Sequence, residues 1–458
     1  MKTSRLILLL WVVMLVASGC SRAPASPKTG AASLDHRFVV WLGANAPPAP
    51  ELGKLAGIGV DEVVIDAGEV DMGGGVPVLR LASIPDLPKS LPFGVLLRIK
   101  RTPASQVEKL AAPVWSALED AWKEVGGARE ILVDLGATPE GTEQFLRRLA
   151  AVSGARVLPV LTTAQLAEGR ARSVVSSAGG CVVLLAGNLA AIRAGAKASG
   201  LAFEDQLAPL VGLGIRPRAA VVLAPRTSPQ LQGWGEDIEP LTRPSAATLS
   251  TPRDFSWAFT VRHALTWSER FWKSGDRLDV TWMDAMQLNQ ILHEVTAMRL
   301  PALEGWDIVG LPPSGRALGM GLDAFSAYFS GEGPAPAVRV QAERSGRRVR
   351  VTLENPTPFC SAVSSFGTWV EVAVARGILS ATKRGTFDRV LLGSRKAGKW
   401  RSLSSGEADA VRFFDSYIAP GEEARSAWVR LPSSRARFTV RWRVLLSTGE
   451  AQSGTFNR

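Results

Sequence analysis

Glu130-Ile131-Leu132-Val133-Asp134-Leu135-Gly136-Ala137-Thr138-Pro139-Glu140-Gly141 is a short apolar run that carries one acid and then runs into a helix start. Thr138 reads as an N-cap with Pro139 at the first helical position, where a missing N–H costs nothing. Phe145, Leu149 and Val152 then recur at helical spacing, and Gly154 supplies a stop. The same grammar recurs on either side. Apolar runs at 38–43, 60–65, 93–99, 131–133, 157–161, 181–185, 219–223 and 308–311 alternate with helical or loop segments. They are continuous rather than alternating, as expected of strands buried on both faces of a parallel sheet. Eight of them over about 270 residues predict a (β/α)8 TIM-like barrel spanning 37–330. An open doubly wound sheet is the alternative, although Gly43-Ala44-Asn45-Ala46-Pro47 is no phosphate-binding glycine loop.

Details follow from the same patterns. Val107, Leu110, Val114, Leu118, Ala121 and Val125 predict a helix over 104–125, with Pro113 as a kink or restart. A short extra strand is expected at 78–81. Residues 227–305 form an insertion between strands seven and eight, ending in a helix over 282–298 capped by Thr281. The insertion carries Trp234, Trp257, Trp267, Trp272 and Trp282 in a chain with 14 Trp and only 2 Tyr.

After Gly331-Glu332-Gly333-Pro334-Ala335-Pro336, the linker of 331–337, the period changes to two. Val349-Arg350-Val351-Thr352-Leu353 and Phe438-Thr439-Val440-Arg441-Trp442-Arg443-Val444 alternate, as half-buried antiparallel strands do. Seven or eight such runs predict an immunoglobulin-like β-sandwich over 338–458. The charge divides at the same place. Residues 337–458 hold 21 Lys and Arg against 10 Asp and Glu, whereas 21–336 hold 30 against 32. Arg347-Arg348-Val349-Arg350 and the arginines at 435, 437, 441 and 443 are the densest runs. Such a surface suits lipid phosphates, acidic polysaccharide or plain solvation.

At the N-terminus, Lys2 and Arg5 precede an eleven-residue apolar run over 6–16, too short to span a bilayer. Ala17-Ser18-Gly19-Cys20 follows. This resembles a bacterial lipoprotein signal peptide over 1–20, which implies lipidation at Cys20 and anchoring in the cell envelope. Ser21 after the cysteine implies the outer membrane rather than the inner. Residues 21–36, rich in Ala, Pro, Ser and Gly, read as a flexible tether. Cys181 and Cys360 are expected to be buried free thiols. No Cys/His spacing suggests a metal site, no cofactor motif is present, and export makes nucleic acid an unexpected partner.

The lipoprotein signal, strand 38–43, Ile131-Leu132-Val133-Asp134 leading into a helix, strand 157–162 and a β-rich tail together resemble the bacterial domain-of-unknown-function family numbered 3142. The resemblance covers the barrel and implies a fold akin to glycoside hydrolases with no settled activity. That family's fourth strand carries Asp-x-Asp. Asp134 matches the first acid, but Gly136 stands at the second.

Ligands of such barrels bind at the C-terminal strand ends. The candidates there are Asp66 and Glu69, Arg98 and Arg101, Asp134, Thr162 and Thr163, Asn188, and Arg226. A buried acid needs a partner, and Arg98 is the expected one for Asp134. A glycosidase needs two carboxylates about 5 to 9.5 Å apart, and Asp134 with Asp66 or Glu69 would supply them. Strand seven ends in Leu223-Ala224-Pro225-Arg226 without the acid that barrel hydrolases commonly place there. Trp234, Trp257 and Trp267 are candidate sugar-stacking platforms or, alternatively, packing residues of the insertion. Three readings stay open: a polysaccharide-binding barrel without strong catalysis, a glycoside hydrolase, and a structural envelope protein.

Overall fold

The computed structural model describes residues 37–458 except 43–48, 72–77, 82–86, 89–90, 101–108, 136–139, 167–168, 186–213, 224–225, 229–246, 251–255, 268–269, 282, 298–302, 312–318, 382, 397–398 and 404–406. The readings of Cys20, the tether, Arg101, Gly136, Thr138, Pro139, Asn188 and Trp234 lie outside the described residues.

The eight apolar runs are strands β1 (Arg37–Leu42), β2 (Glu62–Asp71), β3 (Phe93–Lys100), β4 (Glu130–Asp134), β5 (Arg156–Thr162), β6 (Val182–Leu184), β7 (Arg218–Val222) and β8 (Gly305–Val309). Each pairs in parallel with the next, and β1 pairs with both β2 and β8. The ring is closed, which excludes the doubly wound alternative. Val78–Leu81 adds the expected short strand, antiparallel to the end of β2.

Alternation sorts each strand into an inner and an outer file. Val39, Val64, Leu96, Leu132, Leu158, Val182 and Ala220 fill the barrel's middle. Ile65, Val95, Leu97, Ile131, Val133 and Val157 face outward. That outer file meets helices α2 (Ala111–Ala121), α3 (Thr142–Ser153) and α4 (Gly169–Ala178) through Val114, Leu118, Phe145, Leu149 and Val174. Phe38, on the outer face of β1, packs on Phe325 and Phe329 of a helix at Leu322–Phe329.

Several boundaries depart from expectation. The helix read over 104–125 occupies Ala111–Ala121, so Pro113 sits in its first turn, where proline is tolerated, and marks no kink. β2 does not end at Ile65 but runs to Asp71. β8 runs over Gly305–Val309 rather than 308–311, with Asp307 inside it. The helix at Ala285–Ala297 is capped by Asp284, whose Oδ1 accepts the Gln287 N–H at 2.9 Å; Thr281 still belongs to the preceding strand, Arg277–Thr281.

The chain forms two compact units: 29–237 with 280–334, and 238–279 with 335–458. The segment read as one insertion is thus divided. In the second unit, β9 (Arg339–Ser345), β10 (Arg348–Glu354), β11 (Thr368–Val374), β12 (Arg389–Lys396), β13 (Lys399–Ser402), β14 (Ala410–Asp415), β15 (Glu423–Arg425), β16 (Val429–Arg430), β17 (Phe438–Leu445) and β18 (Ala451–Asn457) make two antiparallel sheets. One has the order β9-β10-β15 with β16 also on β10; the other is β13-β12-β14-β11-β17-β18. Val349, Val351 and Leu353 from the first share a core with Val370, Val372, Val411, Phe413, Val440 and Trp442 from the second. This is the β-sandwich the period-two runs predict. Cys181 and Cys360 are both free and buried.

Candidate functional site at the barrel mouth

The C-terminal ends of β2, β3 and β4 bring four of the candidates together. Leu96 and Leu132 point into the barrel, so Arg98 and Asp134, two residues further on, do the same, and they are register partners. Asp66 follows Val64 on the inner file of β2. A bulge then intervenes: the register with β3 shifts between Asp66 and Gly68, and Gly68 adopts a φ of 116° that favours glycine. The extra residue, Ala67, puts Glu69 opposite Arg98 and on its side of the sheet. Without it Glu69 would face the helices. Bulges beside ligand sites commonly re-aim a side chain in this way.

Arg98 Nη2 lies 2.5 Å from Asp66 Oδ2, so the arginine expected beside Asp134 pairs with Asp66. Alternation places all three side chains inside the mouth. Asp134, the register partner of Arg98 on β4, has interactions of its own. Asp66 Oδ1 also accepts the Gly68 N–H at 3.1 Å, so both of its oxygens are engaged. Thr162, at the end of β5, is exposed and bonds Gln165. β2 and β4 lie two interstrand spacings apart, about 10 Å between backbones.

Of the candidate tryptophans, Trp257 and Trp267 belong to the second unit. Trp257 is 4% exposed and donates its indole N–H to the Val363 carbonyl at 2.7 Å. It is therefore a packing residue of the sandwich unit and offers no stacking face. Trp267 is half-buried with its ring centroid 6.0 Å from that of Trp272.

Sequence reading missed a larger charge cluster at the opposite, N-terminal end of the barrel. Its inner positions are Arg37, Glu62, Glu130, Arg156 and Arg218 on five strands and Gly94, Gly180 and Gly305 on the other three. Arg218 is fully buried, 2.6 Å from Glu130 Oε1 and 3.1 Å from Asp307 Oδ1. Arg37 pairs with Glu62 and reaches Glu130 at 3.3 Å and Glu304 at 3.5 Å. Arg156 grips Glu304 with two contacts of 2.5 and 2.8 Å. Trp41 closes the cluster from above by donating to Asp307 Oδ2 at 2.6 Å.

The glycines make room for it. A Cβ on Gly94 would stand 2.7 Å from Glu62 Oε1, and one on Gly180 would stand 2.9 Å from Arg156 Nη2. On Gly305 it would collide with the Arg37 backbone. A signal was available: at the foot of every barrel strand, in one phase, stands either a charged residue or a glycine.

Three arginines face four carboxylates, so with all groups ionised the cluster is one charge negative. Burial, then the neighbouring charge of Glu130, raises Glu62 to about 7. Burial raises Asp307 to about 6, with Arg218 opposing. Burial works against ionised Glu304, but the Arg156 hydrogen bond and charge prevail and lower it. Of Glu62, Asp307 and Glu304, Glu62 holds its proton to the highest pH.

No family model matches the chain, and no curated protein matches it. Among solved structures it is similar to a xylanase-alpha-amylase inhibitor protein in complex with trehalose, at 12% identity over 65% of this chain and 97% of that one, with a TM-score of 0.34. A GH18 chitinase from Pseudoalteromonas aurantia matches at 9% identity over 65% and 98%, with a TM-score of 0.32. A chitinase from Ipomoea carnea matches at 11% over 60% and 94%, with a TM-score of 0.31.

Proposed function

We propose that this chain is a lipid-anchored envelope protein whose barrel mouth binds polysaccharide without hydrolysing it. The observation that carries the reading is the state of Asp66. Both of its oxygens are committed, one to Arg98 and one to the Gly68 N–H. A hydrolase needs two carboxylates free to exchange protons or attack across one bond. Here Asp66 serves to position a guanidinium, which leaves only Glu69 to partner Asp134 in the hydrolase alternative. What remains, Arg98 flanked by Asp66, Glu69 and Asp134, is a set of charged donors and acceptors suited to sugar hydroxyls. Anchoring rests on Lys2, Arg5, the apolar run and Cys20. Labelled lipid incorporated into the wild type and lost in Cys20→Ala supports it; equal incorporation, or none, refutes it.

The test of binding is a glycan array probed with wild type and Asp134→Asn, alongside reducing-end release on every glycan that binds. Binding that weakens at least tenfold in the variant, with no release, is the expected result. Release that disappears in Asp134→Asn would establish the hydrolase reading, for which the spacing of β2 and β4 leaves room. Binding to nothing on the array would leave a structural role.

A further inference from the structure

Four arginines of the C-terminal region come together on one side of the six-stranded sheet. Register sets Arg389, Phe414, Trp369 and Arg443 side by side across four strands. Two residues along, Leu391, Arg412, Glu371 and Arg441 form a second such row. The row between them, Val390, Phe413, Val370 and Trp442, points into the sandwich core. Both flanking rows therefore lie on the outer face, where four arginines meet one carboxylate.

This face is built rather than merely basic. Glu371 is fully buried and receives Arg395 Nε at 2.6 Å, Arg412 Nε at 2.8 Å and Arg441 Nη1 at 3.1 Å. The Arg412 guanidinium lies between two indoles, 4.0 Å from the centre of Trp369 and 4.3 Å from that of Trp400. Trp400 can lie flat because its neighbour is Gly393, where a Cβ would stand 2.5 Å from the ring. At the edge of the face opens a cavity of about 570 Å³ lined by Lys383, Arg384, Gly385, Asp388, Arg389, Val390 and Ala427. Its one acid is occupied, since Asp388 Oδ2 accepts the Ser416 N–H at 2.8 Å. Arg389 stacks 4.8 Å over Phe366, a ring that is 48% exposed.

We propose that this cavity and the adjoining sheet face bind an acidic polysaccharide, with Lys383, Arg384 and Arg389 taking its carboxylates and Phe366 offering a face to a sugar ring. Three features select that occupant. The lining carries three cations against one carboxylate, so a polyanion is the complementary charge. The site is a shallow, open depression beside the sheet face, along which an extended sugar chain can lie. Arginine beside an exposed aromatic ring pairs charge recognition with ring stacking, which a carboxylated sugar satisfies with adjacent groups. This site stands on the sandwich alone and is independent of the barrel mouth.

The experiment is isothermal titration of the full chain with polygalacturonate, with neutral dextran and phosphatidylglycerol vesicles as parallel arms. Polygalacturonate should bind and weaken as salt rises, through screening, and dextran should not bind. Lys383→Glu with Arg389→Glu should weaken binding at least tenfold while the melting temperature stays within a few degrees of wild type. Lys383→Arg with Arg389→Lys should retain most of it, which separates charge from folding. Absence of polygalacturonate binding, equal binding by the charge-reversed variant, or binding to the vesicles alone would overturn the proposal.

Discussion

The two ends of the barrel are built from the same residue types and do different things with them. At the N-terminal end, Arg218, Glu130 and Asp307 are sealed from water, in space left by Gly94, Gly180 and Gly305. At the C-terminal end, Arg98 and Asp66 pair with about a fifth of the arginine side chain still exposed. A buried ion cluster is a weak net stabiliser, but removing one member leaves its partners charged and dry. A partly exposed pair loses little when broken. The lesson is that the floor's central charges are sealed into the barrel, while the Arg98–Asp66 pair at the mouth stays in part within reach of solvent. This division matches the general division of labour between the two faces of such barrels.

That comparison can be broken most directly at Arg218. Arg218→Met strands Glu130 and Asp307, and urea denaturation should show a loss of about 3–5 kcal/mol or no folded protein. A loss below about 1 kcal/mol would mean the floor carries no structural load. Next comes pH. Glu62 sits above its ordinary value, so the folded state holds a proton there that the unfolded state releases. Its contribution is fully present below about pH 4.5 and is lost as pH rises toward 7, by up to roughly 3 kcal/mol. Asp307 adds in the same direction up to about pH 6, and Glu304, which is lowered, opposes both only at more acid pH. Glu62→Gln should flatten the stability profile between pH 5 and 7 in urea titrations; an unchanged slope would remove Glu62 as the proton holder.

Smaller effects sharpen the contrast. Gly94→Ala crowds the Glu62 and Glu130 side chains and should cost about 1–3 kcal/mol by overpacking. Arg98→Ala, at the mouth, should cost about 1 kcal/mol or less, which differential scanning calorimetry resolves as a small shift in melting temperature.

The barrel was legible because its strands are continuous apolar runs with helix starts and glycine stops between them, and burial on both faces produces that pattern whatever the site contains. The sandwich was legible from the switch to period two. The mouth was legible as a set of positions, since Asp66, Glu69, Arg98 and Asp134 all fall at strand ends. The Arg98–Asp66 pair was not, nor was the bulge at Ala67 that turns Glu69 to the same side; neither leaves a trace in periodicity. The floor was missed because a charged residue ahead of an apolar run reads as a strand boundary. Its meaning appears only when eight such positions are overlaid in one ring. Asp307 hid for the same reason, just ahead of the run read as 308–311. Trp257 misled in the other direction, since nothing local to an indole says whether its face is covered.

The most direct measurement is glycan binding by Arg98→Ala and Gly94→Ala, titrated on the same ligand at a temperature where both are fully folded. The account predicts that Arg98→Ala loses at least tenfold in affinity at nearly wild-type stability, while Gly94→Ala binds as wild type does with lower stability. Intact binding by Arg98→Ala together with lost binding by the folded Gly94→Ala would contradict it.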